Sequence, residues 1–110
     1  MKAIVCGGRD TTERAFIEKT LDSLGVSFVI QGGAPGVDWI ARKWAEEKSI
    51  PCATVKAPWE RLAASAGPIR NGWMLRLNPD VVVAFPGGRG TANMVSQAKA
   101  AGVRVLEPKP

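Results

Sequence analysis

Short apolar runs alternate along the chain with stretches in which apolar residues recur about every 3.6 positions. The runs are typical of strands and occupy positions 3–5, 28–30, 53–55, 81–85 and 103–106. The run at 81–85 is unbroken and mostly β-branched, which predicts a strand buried on both faces of a parallel sheet. The stretch 56–68 has no clear period, and we expect it to be irregular with a short helix near 59–64.

Four amphipathic helices are predicted between these strands. Their apolar stripes are Phe16, Ile17, Thr20, Leu21 and Leu24; Val37, Ile40, Ala41, Trp44 and Ala45; Ile69, Trp73, Met74 and Leu77; and Thr91, Met94, Val95 and Ala98. Gly25 and Gly102 are helix stops, and Asn78-Pro79 ends the third helix. Asp10 and Glu13 have capping-box spacing, so we expect Asp10 to cap the first helix.

This alternation predicts an α/β fold with about five parallel strands and helices on both faces of the sheet, three layers in all. No linker, repeat or low-complexity tract interrupts the chain, so we expect residues 1–110 to form a single domain. In such sheets, ligands bind beyond the carboxyl ends of the strands, where the strand order reverses. The functional residues are therefore expected in the loops that follow strands.

The amino-acid composition limits which catalytic groups, ligands and metal sites the chain can have. The 110 residues include no histidine and no tyrosine, which removes the commonest general base and tyrosine acid chemistry. A net charge of +5 favours an anionic partner, although the basic residues are scattered. Cys6 and Cys52 lie in apolar stretches without metal-ligand spacing, so we expect two buried, reduced thiols and no metal site. No segment resembles a membrane span or a signal peptide, so a cytoplasmic location is expected.

Three predicted strands end in a pair of glycines: Gly7-Gly8, Gly32-Gly33 and Gly87-Gly88. Each pair leads into a helix whose unpaired N–H groups favour an anion, and Arg9 and Arg89 lie in two of these loops. Glycines also occur simply because they permit tight turns, but three pairs at equivalent places favour a phosphate site. The spacing fits neither a dinucleotide fingerprint nor a P-loop.

Four motifs in order resemble the YspA-related branch of the SLOG superfamily: Gly7-Gly8-Arg9-Asp10, Gly32-Gly33-Ala34-Pro35-Gly36-Val37-Asp38, Ala66-Gly67-Pro68-Ile69-Arg70-Asn71 and Ala84-Phe85-Pro86-Gly87-Gly88-Arg89-Gly90-Thr91. The resemblance implies a compact Rossmann-like fold that binds a nucleotide or a nucleotide-derived signal. It also implies ligand contacts from Gly7, Gly8, Arg9, Gly32, Gly33, Asp38, Arg70, Asn71, Pro86, Gly87, Gly88, Arg89, Gly90 and Thr91.

The same superfamily includes phosphoribohydrolases of the Lonely Guy type, whose motif Pro-Gly-Gly-x-Gly-Thr-x-x-Glu ends in a catalytic glutamate. Here that position is Met94, a residue that fits the apolar stripe of the last helix and supplies no carboxylate. A sensor or binding module without a cofactor is therefore the favoured interpretation. The alternative is a nucleoside 5′-monophosphate phosphoribohydrolase in which Asp38 acts as the catalytic carboxylate.

Single-stranded nucleic acid is a further, less favoured partner, because no basic track with interleaved aromatic residues is visible. Homodimerisation is expected, since the chain is small and related domains pair through helices. We assign Trp44 to the core, Trp39 and Trp73 to packing or a dimer interface, and Trp59 to a candidate base contact.

Overall fold

The computed structural model describes residues 1–59 and 63–110. The described strands are β1 (Lys2–Cys6), β2 (Phe28–Gln31), β3 (Cys52–Thr54), β4 (Val81–Ala84) and β5 (Arg104–Leu106). The described helices are α1 (Arg14–Leu24), α2 (Val37–Glu47), α3 (Ala66–Leu75) and α4 (Arg89–Ala100), and a 3-10 turn at Ala63–Ser65 precedes α3.

The strands form one parallel sheet in the order β3-β2-β1-β4-β5. Ala3 of β1 pairs with Val29 on one side and with Val81 on the other, so β1 lies between β2 and β4. The strand order therefore reverses at β1, and a crevice opens beyond the carboxyl ends of β1 and β4.

Alternate residues of β1 face opposite sides of the sheet. Ala3 and Val5 belong to an apolar cluster with α1 and α2, whereas Ile4 and Cys6 belong to a second cluster with α3 and α4. Helices thus cover both faces, and the predicted three-layer α/β fold is confirmed.

Most of the predicted core positions are buried. Trp44 is 2% exposed and its indole N–H donates to Asp22 at 2.9 Å, which confirms its place in the core. Met94 is fully buried beside Ile4 and Ala98, as its helical stripe predicts. Gly25 ends α1 with φ +65°, the left-handed conformation that favours glycine at a helix stop.

The capping box predicted for the first helix is wrong. The helix begins at Arg14, and its N-cap residue Glu13 makes no side-chain capping hydrogen bond. Instead the backbone N–H of Glu13 donates to Oγ1 of Thr11 at 3.3 Å, so the segment after Gly8 forms a separate turn. Asp10 lies in that segment, too far ahead of the first helical turn to cap it.

Three further predictions match the structure only in part. The apolar stripe of α3 starts at Ile69, but the helix itself begins at Ala66. Pro68 is tolerated in the first turn, because N–H groups there have no acceptor within the helix. Half of the short helix predicted near 59–64, residues 60–62, lies outside the described residues; of the rest, Trp59 is helical and Ala63–Ser65 form the 3-10 turn. Cys6 is buried as expected, but Cys52 is only partly buried because it lies on the edge strand β3.

None of the described helices has the length and apolar character needed to cross a lipid bilayer.

Candidate functional site

A cleft of about 710 Å³ lies beyond the carboxyl ends of β1 and β4, where the strand order reverses. Two glycine-rich segments form most of its wall, residues 7–11 after β1 and residues 86–91, which run from the loop after β4 into the first turn of α4. The residues that line the cleft are Val5, Cys6, Gly7, Gly8, Arg9, Asp10, Thr11, Ala34, Asp38, Arg70, Asn71, Met74, Pro86, Gly87, Gly88, Arg89, Gly90 and Thr91.

The loops after β1 and β4 pack backbone against backbone. The N–H of Gly8 donates to the carbonyl of Pro86 at 2.9 Å, and the N–H of Val37 donates to the carbonyl of Gly8 at 3.1 Å. A Cβ on Gly87 would lie 2.8 Å from the backbone N of Gly8 and would also strike Oγ1 of Thr91. A Cβ on Gly36 would strike the carbonyl oxygen of Gly8. These glycines are therefore required by packing.

Gly88 and Gly90 differ from Gly87, because a Cβ on either would meet nothing within 4 Å. They flank Arg89 at the start of α4, where Ala92 makes the first helical bond by donating to the carbonyl of Gly88 at 3.1 Å. Within residues 1–59 and 63–110, no acceptor receives the N–H groups of Gly88, Arg89 or Gly90. The first turn of α4 thus presents open backbone donors to the cleft.

The glycine pair after β2 occupies a different place. Gly32 lies against the side chains of Arg70 and Asp38, while Gly33, with φ +78°, lies beside Thr54. Neither glycine is among the described residues that line the cleft. The N–H of Gly33 donates to Oε1 of the buried Gln31 at 2.6 Å, which fixes the turn. Of the residues after β2, it is Ala34 and Asp38 that reach the cleft wall.

The side chain of Arg70, on α3, extends to the β2 side of the cleft and contacts the loop after β2. Its Nη1 donates to the carbonyls of Gly32 at 2.9 Å and Val55 at 3.4 Å, and its Nε donates to Oδ1 of Asn71 at 3.2 Å. Its Nη2 donates to no described acceptor, although every buried side-chain N or O atom described has a partner. The Nη2 side of the guanidinium therefore opens to the cleft. Partial burial lowers the pKa of Arg70, and the charge of Asp38 opposes that effect.

Asp38 lies in the first turn of α2 and is only 6% exposed. Its Oδ2 accepts hydrogen bonds from the backbone N–H groups of Gly32 at 3.1 Å and Ala34 at 3.2 Å. Its Oδ1 has no described partner, and since no buried side-chain oxygen is left unpaired, Oδ1 is open to the cleft. Burial raises the pKa of Asp38, while the hydrogen bond from Ala34 and the charge of Arg70 partly counter that rise.

Arg9 and Arg89 bring two further positive charges to the cleft. Both side chains are exposed, and neither forms an ion pair with a carboxylate in the described part of the chain. The charge of Arg9 also acts on Arg70 and on Asp38, which places all three groups around the same space. Asp10 is the second carboxylate of the lining and is exposed at its rim. An anion entering the cleft would meet guanidinium donors without displacing an ion pair.

Asn71 supports the start of α4. It is 3% exposed, and its Nδ2 donates to the carbonyl of Gly90 at 3.2 Å and to Oδ1 of Asn93 at 3.0 Å. Gln97 extends the network by donating to the same oxygen of Asn93 at 2.7 Å. The side chain of Asn71 therefore fixes the turn that carries the open backbone donors.

Several lining residues were not predicted from the sequence, namely Val5, Cys6, Thr11, Ala34 and Met74. Cys6 could have been found, because it is the last residue of β1 and directly precedes the first glycine pair. Met74 is buried and its contribution depends on how α3 packs, which no local pattern reveals. Trp59 is exposed beside Gly67 and is not among the described lining residues.

Comparison with known proteins supports this description. The model of the YspA, cpYpsA-related SLOG family matches residues 1–62. The Gene 61 protein of Mycobacterium phage D29 is 39% identical to this chain over 85 residues, which cover 71% of this chain and 68% of the phage protein. The chain belongs to the YspA, cpYpsA-related SLOG family. This assignment confirms the family that the glycine motifs indicate.

Among solved structures, MurG of Acinetobacter baumannii has a similar fold, with a TM-score of 0.55 and 17% sequence identity. The match covers 99% of this chain and 35% of MurG, so the chain spans about a third of that protein. At this identity the likeness shows the fold alone. The SLOG family and the Rossmann-like fold together support a nucleotide-related binding domain in general terms. Within the described residues, no group of three or more Asp, Glu, Cys or His side chains is placed to hold a metal ion.

Proposed function

We propose that this SLOG domain binds a nucleotide or nucleotide-derived ligand and holds its phosphate at the first turn of α4. The proposal rests mainly on one observation. The N–H groups of Gly88, Arg89 and Gly90 are unpaired among described residues and face the same cleft as three guanidinium groups. Gly88 and Gly90 leave open space where a side chain would obstruct a ligand. Backbone donors at a helix start, together with arginine forks, suit phosphate oxygens.

The opposite wall of the cleft suits a sugar hydroxyl. Oδ1 of Asp38 is open to the cleft, whereas Oδ2 is held by two backbone N–H groups, so the carboxylate is both oriented and available. A carboxylate oxygen in this state accepts a hydrogen bond from a hydroxyl. We therefore place the sugar between Asp38 and the loop after β1.

Calorimetric titration with nucleoside 5′-monophosphates and diphosphates tests the proposal. Saturable binding is expected, with a loss of at least about tenfold in affinity for Arg89→Ala, since a charge-assisted hydrogen bond contributes roughly 1.5–3 kcal/mol. The matched control is Arg104→Ala, because Arg104 is also exposed but lies on β5 outside the cleft lining. Gly88→Val should also abolish binding without unfolding the chain, since its Cβ has open space.

Absence of binding to the whole panel would contradict the proposal. So would wild-type affinity in both Arg89→Ala and Gly88→Val, because the phosphate would then lie elsewhere. Equal losses in Arg89→Ala and Arg104→Ala would indicate a general effect of net charge, and would also count against a phosphate site at α4.

A phosphoribohydrolase is the second candidate, and the environment of Asp38 is the observation that favours it. Burial raises the pKa of this carboxyl while one oxygen remains open to the cleft, which suits a group that exchanges a proton with water or a leaving base. Position 94 cannot supply the carboxylate found in the enzymes of this superfamily, because Met94 is fully buried in the core. Catalysis would then need another carboxylate of the cleft, and of Asp10 and Asp38 it is Asp38 that is buried.

Release of free base from nucleoside 5′-monophosphates tests this second candidate. Release by the wild type that is lost in Asp38→Asn, with binding retained, would establish hydrolysis through Asp38. No release across purine and pyrimidine substrates would leave ligand binding alone as the function of the cleft.

A further inference from the structure

A second cavity, of about 490 Å³, lies on the other side of the loop between β4 and α4. It shares Pro86, Gly87, Gly88 and Thr91 with the cleft described above. Its remaining wall comes from the end of β4, from one face of α4 and from residues 107–109 after β5. The two cavities are therefore neighbours separated only by the turn that carries the open backbone donors.

The second cavity has the character of a site for an uncharged ring with polar groups at its edge. Pro86, Val95 and Pro108 give it an apolar surface, while Ser96 and Lys99 supply a hydroxyl and an ammonium group on successive turns of α4. Glu107 and Lys109, in the segment after β5, add a carboxylate and a second ammonium group at its edge. Both Ser96 and Lys99 are exposed, and neither side chain forms a hydrogen bond or ion pair with the described residues. Ligand sites commonly combine apolar walls with a few such polar groups.

Gly88 lines both cavities and lies at the boundary between them. A Cβ at this position would meet no atom beyond its chain neighbours within 4 Å. The unpaired N–H groups of Gly88 and Arg89 lie at the same boundary. A phosphate bound to them would have one cavity on each side of it.

We infer that the ligand is a two-part molecule of the dinucleoside pyrophosphate class, with its linking phosphates over Gly88 and one nucleoside unit in each cavity. This inference rests on the proposed function, since it uses the same phosphate position. Each cavity falls within the range of about 300–1,000 Å³ that is typical of small-molecule sites. A ligand with a single nucleoside would leave the Ser96 and Lys99 side empty.

Matched titrations test the inference. For each base, we measure the affinities of the nucleoside 5′-monophosphate, the nucleoside 5′-diphosphate and the symmetric dinucleoside pyrophosphate. Each affinity is measured for wild type, Ser96→Trp and Lys99→Glu. The diphosphate separates the effect of a second phosphate from that of a second nucleoside. Ala100→Trp is the control, because Ala100 is an exposed residue of α4 outside both cavity linings.

For at least one base, the dinucleoside pyrophosphate should bind wild type and Ala100→Trp at least about tenfold more tightly than the diphosphate. Ser96→Trp should erase that gain while leaving the affinity for the monophosphate unchanged, and Lys99→Glu should reduce it. A gain that persists in both variants, or equal affinity for the diphosphate and the dinucleoside pyrophosphate, would overturn the inference while leaving the proposed function intact. If none of the three ligands binds wild type, the proposed function fails and this inference fails with it.

Discussion

At the residue scale, the glycines around the cleft fall into two groups, according to whether a methyl group added at the Cα would contact other atoms. Gly87 faces the backbone of Gly7 and Gly8 at less than 3 Å, whereas Gly88, the next residue, faces open space. The first is needed so that two loops can approach each other. The second is not needed for packing, and under the proposed function it leaves room for a ligand.

Gly87→Ala is expected to destabilise the fold by about 1–3 kcal/mol, because the new methyl group would press on the backbone of Gly8, which cannot rotate away. Gly88→Ala is the matched variant and should change stability by less than about 0.5 kcal/mol. Urea unfolding of both variants measures the difference. Equal destabilisation would show that Gly88 also has a packing role and would remove one support for the phosphate site.

Cys6 should make stability depend on pH in alkaline solution. Burial, followed by the charge of Asp38, raises the pKa of this thiol from 9.0 to about 12. The unfolded chain therefore releases this proton near pH 9 while the folded chain retains it, so stability falls as pH rises from 9 towards 12. The slope is at most about 1.4 kcal/mol per pH unit.

Denaturant unfolding between pH 8 and pH 11 measures this slope in wild type, Cys6→Ala and the control Cys52→Ala. Cys6→Ala should flatten the alkaline decline. Cys52→Ala should keep most of it, since Cys52 is only partly buried. A decline that is unchanged in Cys6→Ala would show that the Cys6 thiol titrates as freely in the fold as in the unfolded chain.

At the scale of the elements, the segment between β2 and α2 depends on one carboxylate. Oδ2 of Asp38 accepts the backbone N–H groups of Gly32 and Ala34, so the first turn of α2 holds the loop that precedes it. The same loop offers the carbonyl of Gly32 to Arg70 of α3. Helices on opposite faces of the sheet are thus joined at the cleft through this loop.

Asp38→Ala should destabilise the fold by about 1–3 kcal/mol, because two backbone N–H groups would lose their acceptor. Asp38→Asn should lie within about 1 kcal/mol of wild type at neutral pH, since an amide oxygen can accept the same bonds and no buried charge remains. Thermal and urea unfolding of the pair measures both effects. A similar loss of stability in both variants would show that the negative charge of Asp38, rather than its acceptor geometry, supports the loop.

The elements also show what the sequence predicts and where it fails. The apolar runs and helical stripes place the five strands and four α-helices found in residues 1–59 and 63–110, because burial imposes those periods on the chain. The capping box at Asp10 was wrong because Thr11 forms a competing local bond that the spacing alone does not reveal. The glycine pair after β2 differs from the other two because Arg70 and Asp38 cover Gly32.

At the scale of the whole molecule, the strand order explains why distant loops form one cleft. Neighbouring parallel strands β1 and β4 end at the same edge, so residues near position 8 and residues near position 88 line one cavity. The sequence predicts the loops but not the partner of Arg70, since a contact across 38 positions depends on how α3 packs.

The expected homodimer remains a prediction, and helix α3 is the surface on which we place it. Ile69 and Trp73 of α3, and Leu77 two residues after its end, recur every fourth residue and are each 36–40% exposed. Light scattering should give a dimer mass for wild type and for Trp39→Lys, which alters an exposed tryptophan on α2, and a monomer mass for Trp73→Lys. A wild-type monomer at micromolar concentration would contradict the dimer, and dissociation by Trp39→Lys alone would place the interface on α2.

The central claim, that the first turn of α4 binds phosphate, is tested most directly by amide chemical shifts. A ¹⁵N-labelled chain is titrated with a nucleoside 5′-monophosphate and, as the control, with the nucleoside that lacks the phosphate. The largest saturable shifts should occur at the N–H groups of Gly88, Arg89 and Gly90, and the nucleoside should leave those three signals in place. Shifts centred elsewhere, or equal shifts with the nucleoside, would contradict the claim.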